Sequence, residues 1–125
     1  MFFGLGVIHR SIELVHQSFP QGKGQGVAGA TALTSALLAR ADAITVHVPK
    51  TKETTGILNA AAFALTRPGV LLVNAARGGI IHEADLLVAL DAGQVGGAAI
   101  DVFEQEPPPA DHPLLAHERV ICTPH

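Results

Sequence analysis

Val70-Leu71-Leu72-Val73-Asn74-Ala75-Ala76-Arg77-Gly78-Gly79 decides the fold. Its first half is a continuous run of valine and leucine, the pattern of a parallel strand buried on both faces. Its second half changes abruptly to Asn, two Ala, Arg and two Gly. Glycine permits a sharp turn in backbone conformations that other residues avoid. Arg77 is therefore expected to leave the carboxyl end of a buried strand on a tight turn. In open α/β sheets that edge binds ligands, and the planar guanidinium matches a carboxylate or phosphate. The plainer alternative is an exposed turn arginine paired with nothing.

Working downstream, Glu83 and Asp85 suit the first turn of a helix, where carboxylates favour the dipole. Leu86, Leu87 and Leu90 give that helix an apolar face, and Gly93 is its terminator. Val95 to Val102 reads as a strand, Pro107-Pro108-Pro109 ends regular structure, and Val120-Ile121-Cys122 is a last short strand running into Thr123-Pro124-His125. Upstream, Asn59 caps a short helix over Ala60 to Leu65, which Pro68-Gly69 ends. Lys50 to Thr55 is a polar loop, and Ala43 to Val48 is an alternating strand stopped by Pro49. Thr31 to Arg40 reads as a helix with Leu33, Leu37 and Leu38 apolar.

The first third is less regular. Met1-Phe2-Phe3 is a minimal strand, and Gly4-Leu5-Gly6-Val7-Ile8-His9 carries the first two glycines of a G-x-G-x-x-G fingerprint, with His9 at the third. A helix with Ile8, Ile12, Val15 and Phe19 inward is expected to run to about Ser18. Pro20 to Gly29 has loop composition. No second strand and no acidic residue appear between Glu13 and Asp42, where a nucleotide fold places an Asp or Glu for the ribose hydroxyls. Alternating strands and helices argue for a parallel sheet with right-handed crossovers. The expected fold class is α/β, a Rossmann-like parallel sheet flanked by helices, one domain over residues 1–125 with its N-terminal part shortened.

Composition narrows the function. The chain is 48% hydrophobic and 15% charged, which is globular rather than disordered. Aromatics are 4% and the formal charge is −3, so neither stacked bases nor a basic footprint point to nucleic acid. The single cysteine, Cys122, excludes an internal disulfide framework and fits a reducing cytoplasm. No run is long enough to span a membrane, and the apolar start has no basic leader, so no signal peptide is expected.

The ends of the strands converge along one edge of a parallel sheet. Arg77, Glu106 and His125 then make a coherent set. An imidazole gives or takes a proton near neutrality, a nearby carboxylate orients its ring, and an arginine holds the carboxylate of a small acid. With a nicotinamide cofactor such a set would oxidise a 2-hydroxy acid. Each residue has a plainer alternative: His125 as a chain end, Glu106 as a solvated carboxylate beside prolines, His47 as a loop-shaping residue, Asp101 as a turn hydrogen-bonder. His112, His117, Cys122 and His125 form a rival metal constellation, but their spacing is a weak signal and no metal is expected.

From Asp42 to His125 the sequence resembles the cofactor-binding domain of the D-isomer-specific 2-hydroxyacid dehydrogenases. The motifs are Ile44-Thr45-Val46-His47-Val48-Pro49, Thr54-Thr55-Gly56-Ile57-Leu58-Asn59, Val73 to Gly79, Ala99-Ile100-Asp101-Val102-Phe103-Glu104-Gln105-Glu106-Pro107-Pro108, and Thr123-Pro124-His125. The resemblance implies that Arg77 binds the substrate carboxylate, His125 is the acid–base and Glu106 its partner. It implies that Val48, Pro49, Ala75, Ala76, Arg77 and Asp101 line the nicotinamide end of NAD, and that Gly4, Gly6, Val7 and Ile8 meet the pyrophosphate. NAD is the implied cofactor, NADP being compatible. The implied partners are a 2-hydroxy or 2-keto acid and further copies of the chain, with no nucleic acid and no membrane. His9, the missing second strand and the missing substrate domain depart from the family pattern. They lead to the expectation of a fragment, either of an enzyme or of a non-catalytic remnant that serves in binding or assembly.

Overall fold

The structure, a computed structural model, describes residues 35–125. The fingerprint with Gly4, Gly6, Val7 and Ile8, the helix to Ser18 and the beginning of the helix from Thr31 lie outside the described residues.

In chain order the elements are α1 (residues 35–40), β1 (Ala43–Val46), α2 (Ala60–Leu65), β2 (Val70–Asn74), α3 (Glu83–Asp91), β3 (Val95–Ile100) and β4 (Val120–Cys122). The strands form one parallel sheet in the order β1-β2-β3-β4. This is the Rossmann-like α/β architecture that the alternation of elements implies. Because sheet order follows chain order, right-handed crossovers carry α2 and α3 to the same side.

That arrangement corrects one expectation about β2. Leu72 lies beside Ile44 and Ala98, and Asn74 beside Val46 and Ile100, all on the face that meets the core. Val70, Leu72, Phe63, Leu86 and Leu90 are each no more than 2% exposed. Burial of each such side chain contributes about 1.5–3 kcal/mol. Leu71 and Val73 face the other way and are 50% and 39% exposed, with Ile121 of β4 also on that outer side. Among the described residues the strand is covered on one face, not two, because both crossover helices lie on one side.

Local signals set most boundaries. Asn59 caps α2 by accepting a hydrogen bond from the Ala62 N–H (3.1 Å). Thr66 ends it ahead of Pro68, since its N–H and hydroxyl both return to the Phe63 carbonyl (3.2 and 2.7 Å). His82 caps α3, with Glu83 and Asp85 in the first turn, and Gly93 terminates it at φ +77°. β1 and β3 stop at Val46 and Ile100, short of the expected Val48 and Val102. Val48 and Val102 are still buried, so alternation there reports burial after strand pairing has ended.

Candidate active site

The β2 tip is built from inside. Asn74 is 2% exposed. Its side-chain oxygen accepts from the Ala76 N–H (3.1 Å), and its amide donates to the Arg77 carbonyl (3.1 Å). A buried amide without partners costs about 1–3 kcal/mol, so the last residue of β2 dictates the turn that carries Arg77. The Asn74 carbonyl also accepts from the Asp101 N–H (2.9 Å), joining the β2 and β3 tips. Gly78 allows the next contact, since a Cβ there would overlap the Phe103 carbonyl. Gly79 completes the turn at φ +86°. Arg77 is exposed, and its Nη1 donates to the Ala76 carbonyl (2.7 Å).

Arg77 and Ala76 line a cleft of about 520 Å3 with His47, Val48, Pro49 and Lys50. The loop after β1 holds its side of this cleft through the buried Thr54. Its hydroxyl donates to the Pro49 carbonyl (2.7 Å) and accepts from the Thr51 N–H (2.7 Å). His47 Nε2 lies 2.8 Å from the hydroxyl of Thr45 in β1. Ala75 is exposed at the strand tip. Ala76 stands beside Val48 and Pro49 in this cleft.

The β4 tip is held by side chains. Asp101 Oδ1 accepts from the Thr123 hydroxyl (2.6 Å), and the Thr123 N–H donates to the Ile100 carbonyl (3.1 Å). His125 Nδ1 lies 2.7 Å from Glu106 Oε2. The other oxygen, Oε1, accepts from the Phe103 N–H (3.1 Å). The hydrogen bond to His125 holds the Glu106 carboxyl below its usual range, with the Phe103 N–H next and lesser help from the charges of His125 and Arg77; desolvation opposes them. Glu106, His125, Asp101, Thr123 and Cys122 help line a second cleft, of about 480 Å3. Thus Glu106 and His125 meet directly, while Arg77 lines another cleft, its charge still felt by Glu106.

The rival metal residues are otherwise engaged. The Leu114 N–H donates to His112 Nδ1 (3.2 Å), so the proton sits on Nε2, which faces Glu83 Oε2 (2.9 Å). His117 repeats the pattern, with the Arg119 N–H on Nδ1 (3.1 Å) and Asp91 Oδ1 at Nε2 (3.1 Å). Burial pushes the Cys122 thiol up, and its sulfur lies 3.8 Å from the Leu114 carbonyl. Among the described residues no three such side chains are grouped to hold a metal ion. None of their helices is long and apolar enough to cross a membrane.

Sequence reasoning missed five contributors: Asn74, Thr123, Lys50, and the carboxylates Glu83 and Asp91 that partner His112 and His117. Asn74 was legible in principle, because an asparagine ending an apolar run is a turn former. The histidine pairings connect α3 to a segment about 25 to 30 positions away and carry no local signature.

Residues 13–125 match the family model described as D-isomer specific 2-hydroxyacid dehydrogenase, NAD binding domain. D-3-phosphoglycerate dehydrogenase of Bacillus subtilis is 60% identical over 89 residues, which are 71% of this chain and 17% of that protein. The chain thus spans about a sixth of the length of this curated relative. A D-isomer specific 2-hydroxyacid dehydrogenase from Xanthobacter autotrophicus Py2, solved with NADPH and MES, superposes with a TM-score of 0.73 at 39% identity, over 75% of this chain and 30% of that one. An NADPH-dependent glyoxylate/hydroxypyruvate reductase from Sinorhizobium meliloti gives 0.72 at 40% identity, over 76% and 50%. The fold, the strand-end motifs and these matches agree: the chain belongs to the NAD-binding domain family of the D-isomer-specific 2-hydroxyacid dehydrogenases.

Proposed function

We propose that this chain is the NAD-binding domain of a dehydrogenase that oxidises D-3-phosphoglycerate, at the entrance to serine synthesis. The observation that carries the reading is the 2.7 Å pairing of His125 with Glu106 on the sheet edge that also presents Arg77. In this reading Arg77 holds the substrate carboxylate through its planar fork. His125 takes the hydroxyl proton on Nε2, because Nδ1 is turned to Glu106, which stabilises the imidazolium that forms. Bound NAD supplies the acceptor for the hydride that leaves the adjacent carbon. Val48, Pro49, Ala75, Ala76 and Asp101 hold the nicotinamide end, and Gly4, Gly6, Val7 and Ile8 the pyrophosphate. Residues 1–125 act as one cofactor domain, with NADP a compatible alternative, in a cytoplasmic homo-oligomer. Lys50, in the cleft with Arg77, offers a second cation to a substrate with two anionic ends.

The resemblance to the Sinorhizobium reductase favours a second reading, reduction of glyoxylate or hydroxypyruvate, whose substrates carry no phosphate. Amide shifts of the isotope-labelled chain distinguish them. NADH is expected to bind weakly, given His9 at the third fingerprint position, and to perturb Val48, Ala75, Ala76 and Asp101. Perturbations elsewhere, with those four unmoved, would contradict the cofactor site. 3-Phosphoglycerate should then move Lys50 as well as Arg77, whereas glyoxylate should move Arg77 alone; equal effects on Lys50 would favour the reductase reading.

A further inference from the structure

His112 and Glu83 lie outside the three-residue set, yet their bonds tie α3 to the loop that carries one member of it. The loop after β3 begins at Asp101 and reaches His112, with Glu106 between. Glu83, the first residue of α3, grips both limbs. Its Oε1 accepts from the Glu104 N–H (2.6 Å), and its Oε2 accepts from His112 Nε2 (2.9 Å). The Glu83 N–H in turn donates to Glu104 Oε1 (3.2 Å). The His112 ring stands edge-on to the Phe103 ring, 5.4 Å between centroids and 73° between planes. Phe103 is the residue whose N–H holds Glu106 Oε1. The side chains of Glu83 and His112 are only 15% and 16% exposed, so the bond between them is largely shielded from water, while the two bonds to Glu104 lie at the surface. His117 and Asp91 make a matching bond at the far end of α3, remote from the Glu106 limb.

We propose that Glu83, acting through the Glu104 amide and His112, is a positioning residue that sets the Glu106 carboxylate against His125. This rests on the reading of His125 and Glu106 as the acid–base pair, but its test needs no turnover. A carboxylate offers two acceptors to the two donors that converge here, while glutamine offers one. Glu83→Ala frees both limbs and Glu83→Gln frees one. The groups facing Glu106 are His125, the Phe103 N–H and, more weakly, Arg77. Loss of its partner should therefore raise the carboxyl's titration midpoint toward the ordinary value.

The experiment follows the Glu106 side-chain carboxyl carbon by NMR through a pH titration of the intact chain. The expected order of midpoints is parent, then Glu83→Gln, then Glu83→Ala, rising, with the control His117→Ala at the parent value. Were Glu83→Ala to unfold, His112→Phe carries the test, since it keeps a ring against Phe103 and removes the donor to Glu83; its midpoint should also rise. A parent-like midpoint in a folded Glu83→Ala or His112→Phe would overturn the proposal, and so would an equal rise in His117→Ala. NADH-induced shifts at Ala75 and Ala76, recorded on the same samples, report on the cofactor reading separately.

Discussion

The tips of β2 and β4 deliver the two ends of the proposed chemistry by opposite means. At β2 the backbone is fixed from the core: buried Asn74 bonds both Ala76 and Arg77, and Gly78 seats the turn on the Phe103 carbonyl. At β4 the three-residue tail is exposed and held by the Thr123–Asp101 and His125–Glu106 side-chain bonds, with one main-chain bond at Thr123. The difference suits the tasks. A carboxylate clamp works best on a turn that cannot move, whereas an acid–base group must exchange protons with partners whose charge matters. The β2 tip should therefore respond to substitution through stability, and the β4 tip through titration.

The largest expected effect is at Gly78. Gly78→Ala puts a methyl group into the Phe103 main chain, which cannot step aside as a flexible side chain would. Overpacking typically costs 1–3 kcal/mol and sometimes more, so about 3 kcal/mol is expected here, read as a lowered urea midpoint. A parent-like midpoint would mean that the two loops are not locked together. Asn74→Ala comes next. It strands the Ala76 N–H and the Arg77 carbonyl beside a buried hole, for a loss of about 1–3 kcal/mol by the same denaturation measurement. A loss below about 0.5 kcal/mol would make the turn self-supporting and weaken the contrast.

Thr123→Val should do much less to stability, at most about 1 kcal/mol, because the lost bond to Asp101 is exposed. Its expected signature is a changed His125 ring environment by NMR with an almost unchanged urea midpoint. The reverse pattern, a large stability loss with the His125 signals in place, would show that the β4 tail is core-determined like β2.

This contrast also explains what was legible in the sequence. The β2 run, the Asn59 cap, the α3 carboxylates and Gly93 are local signals, and each marked its element where it stands. Arg77, Glu106 and His125 were singled out because strand ends in a parallel sheet share an edge; the structure pairs Glu106 with His125 and sets Arg77 in another cleft. Pairing limits were not legible: Val48 and Val102 keep the buried pattern after β1 and β3 have ended. Nor was the exposure of Leu71 and Val73 on the outer face among the described residues, since an unbroken apolar run gives no sign of which side is covered. The His112–Glu83 and His117–Asp91 bonds were not legible either, because spacing shows candidate ligands, as in the rival metal set that was set aside, but not their tertiary partners.

The central claim is that Glu106 is bound to His125 strongly enough to set its own protonation. The carboxyl's folded-state value lies below its ordinary one, chiefly through the His125 hydrogen bond. A depressed carboxyl stabilises the fold in full above its unfolded value, and that contribution is lost as pH falls through the folded value. The pair should thus persist at neutral pH and be lost as pH falls through the lowered folded value of the carboxyl. The direct measurement is the titration of the Glu106 carboxyl carbon in the parent and in His125→Ala. The parent midpoint should lie below that of an exposed glutamate. The alanine variant should titrate higher, yet still below an exposed glutamate, because the Phe103 N–H remains. Coincident midpoints in parent and variant would contradict the account.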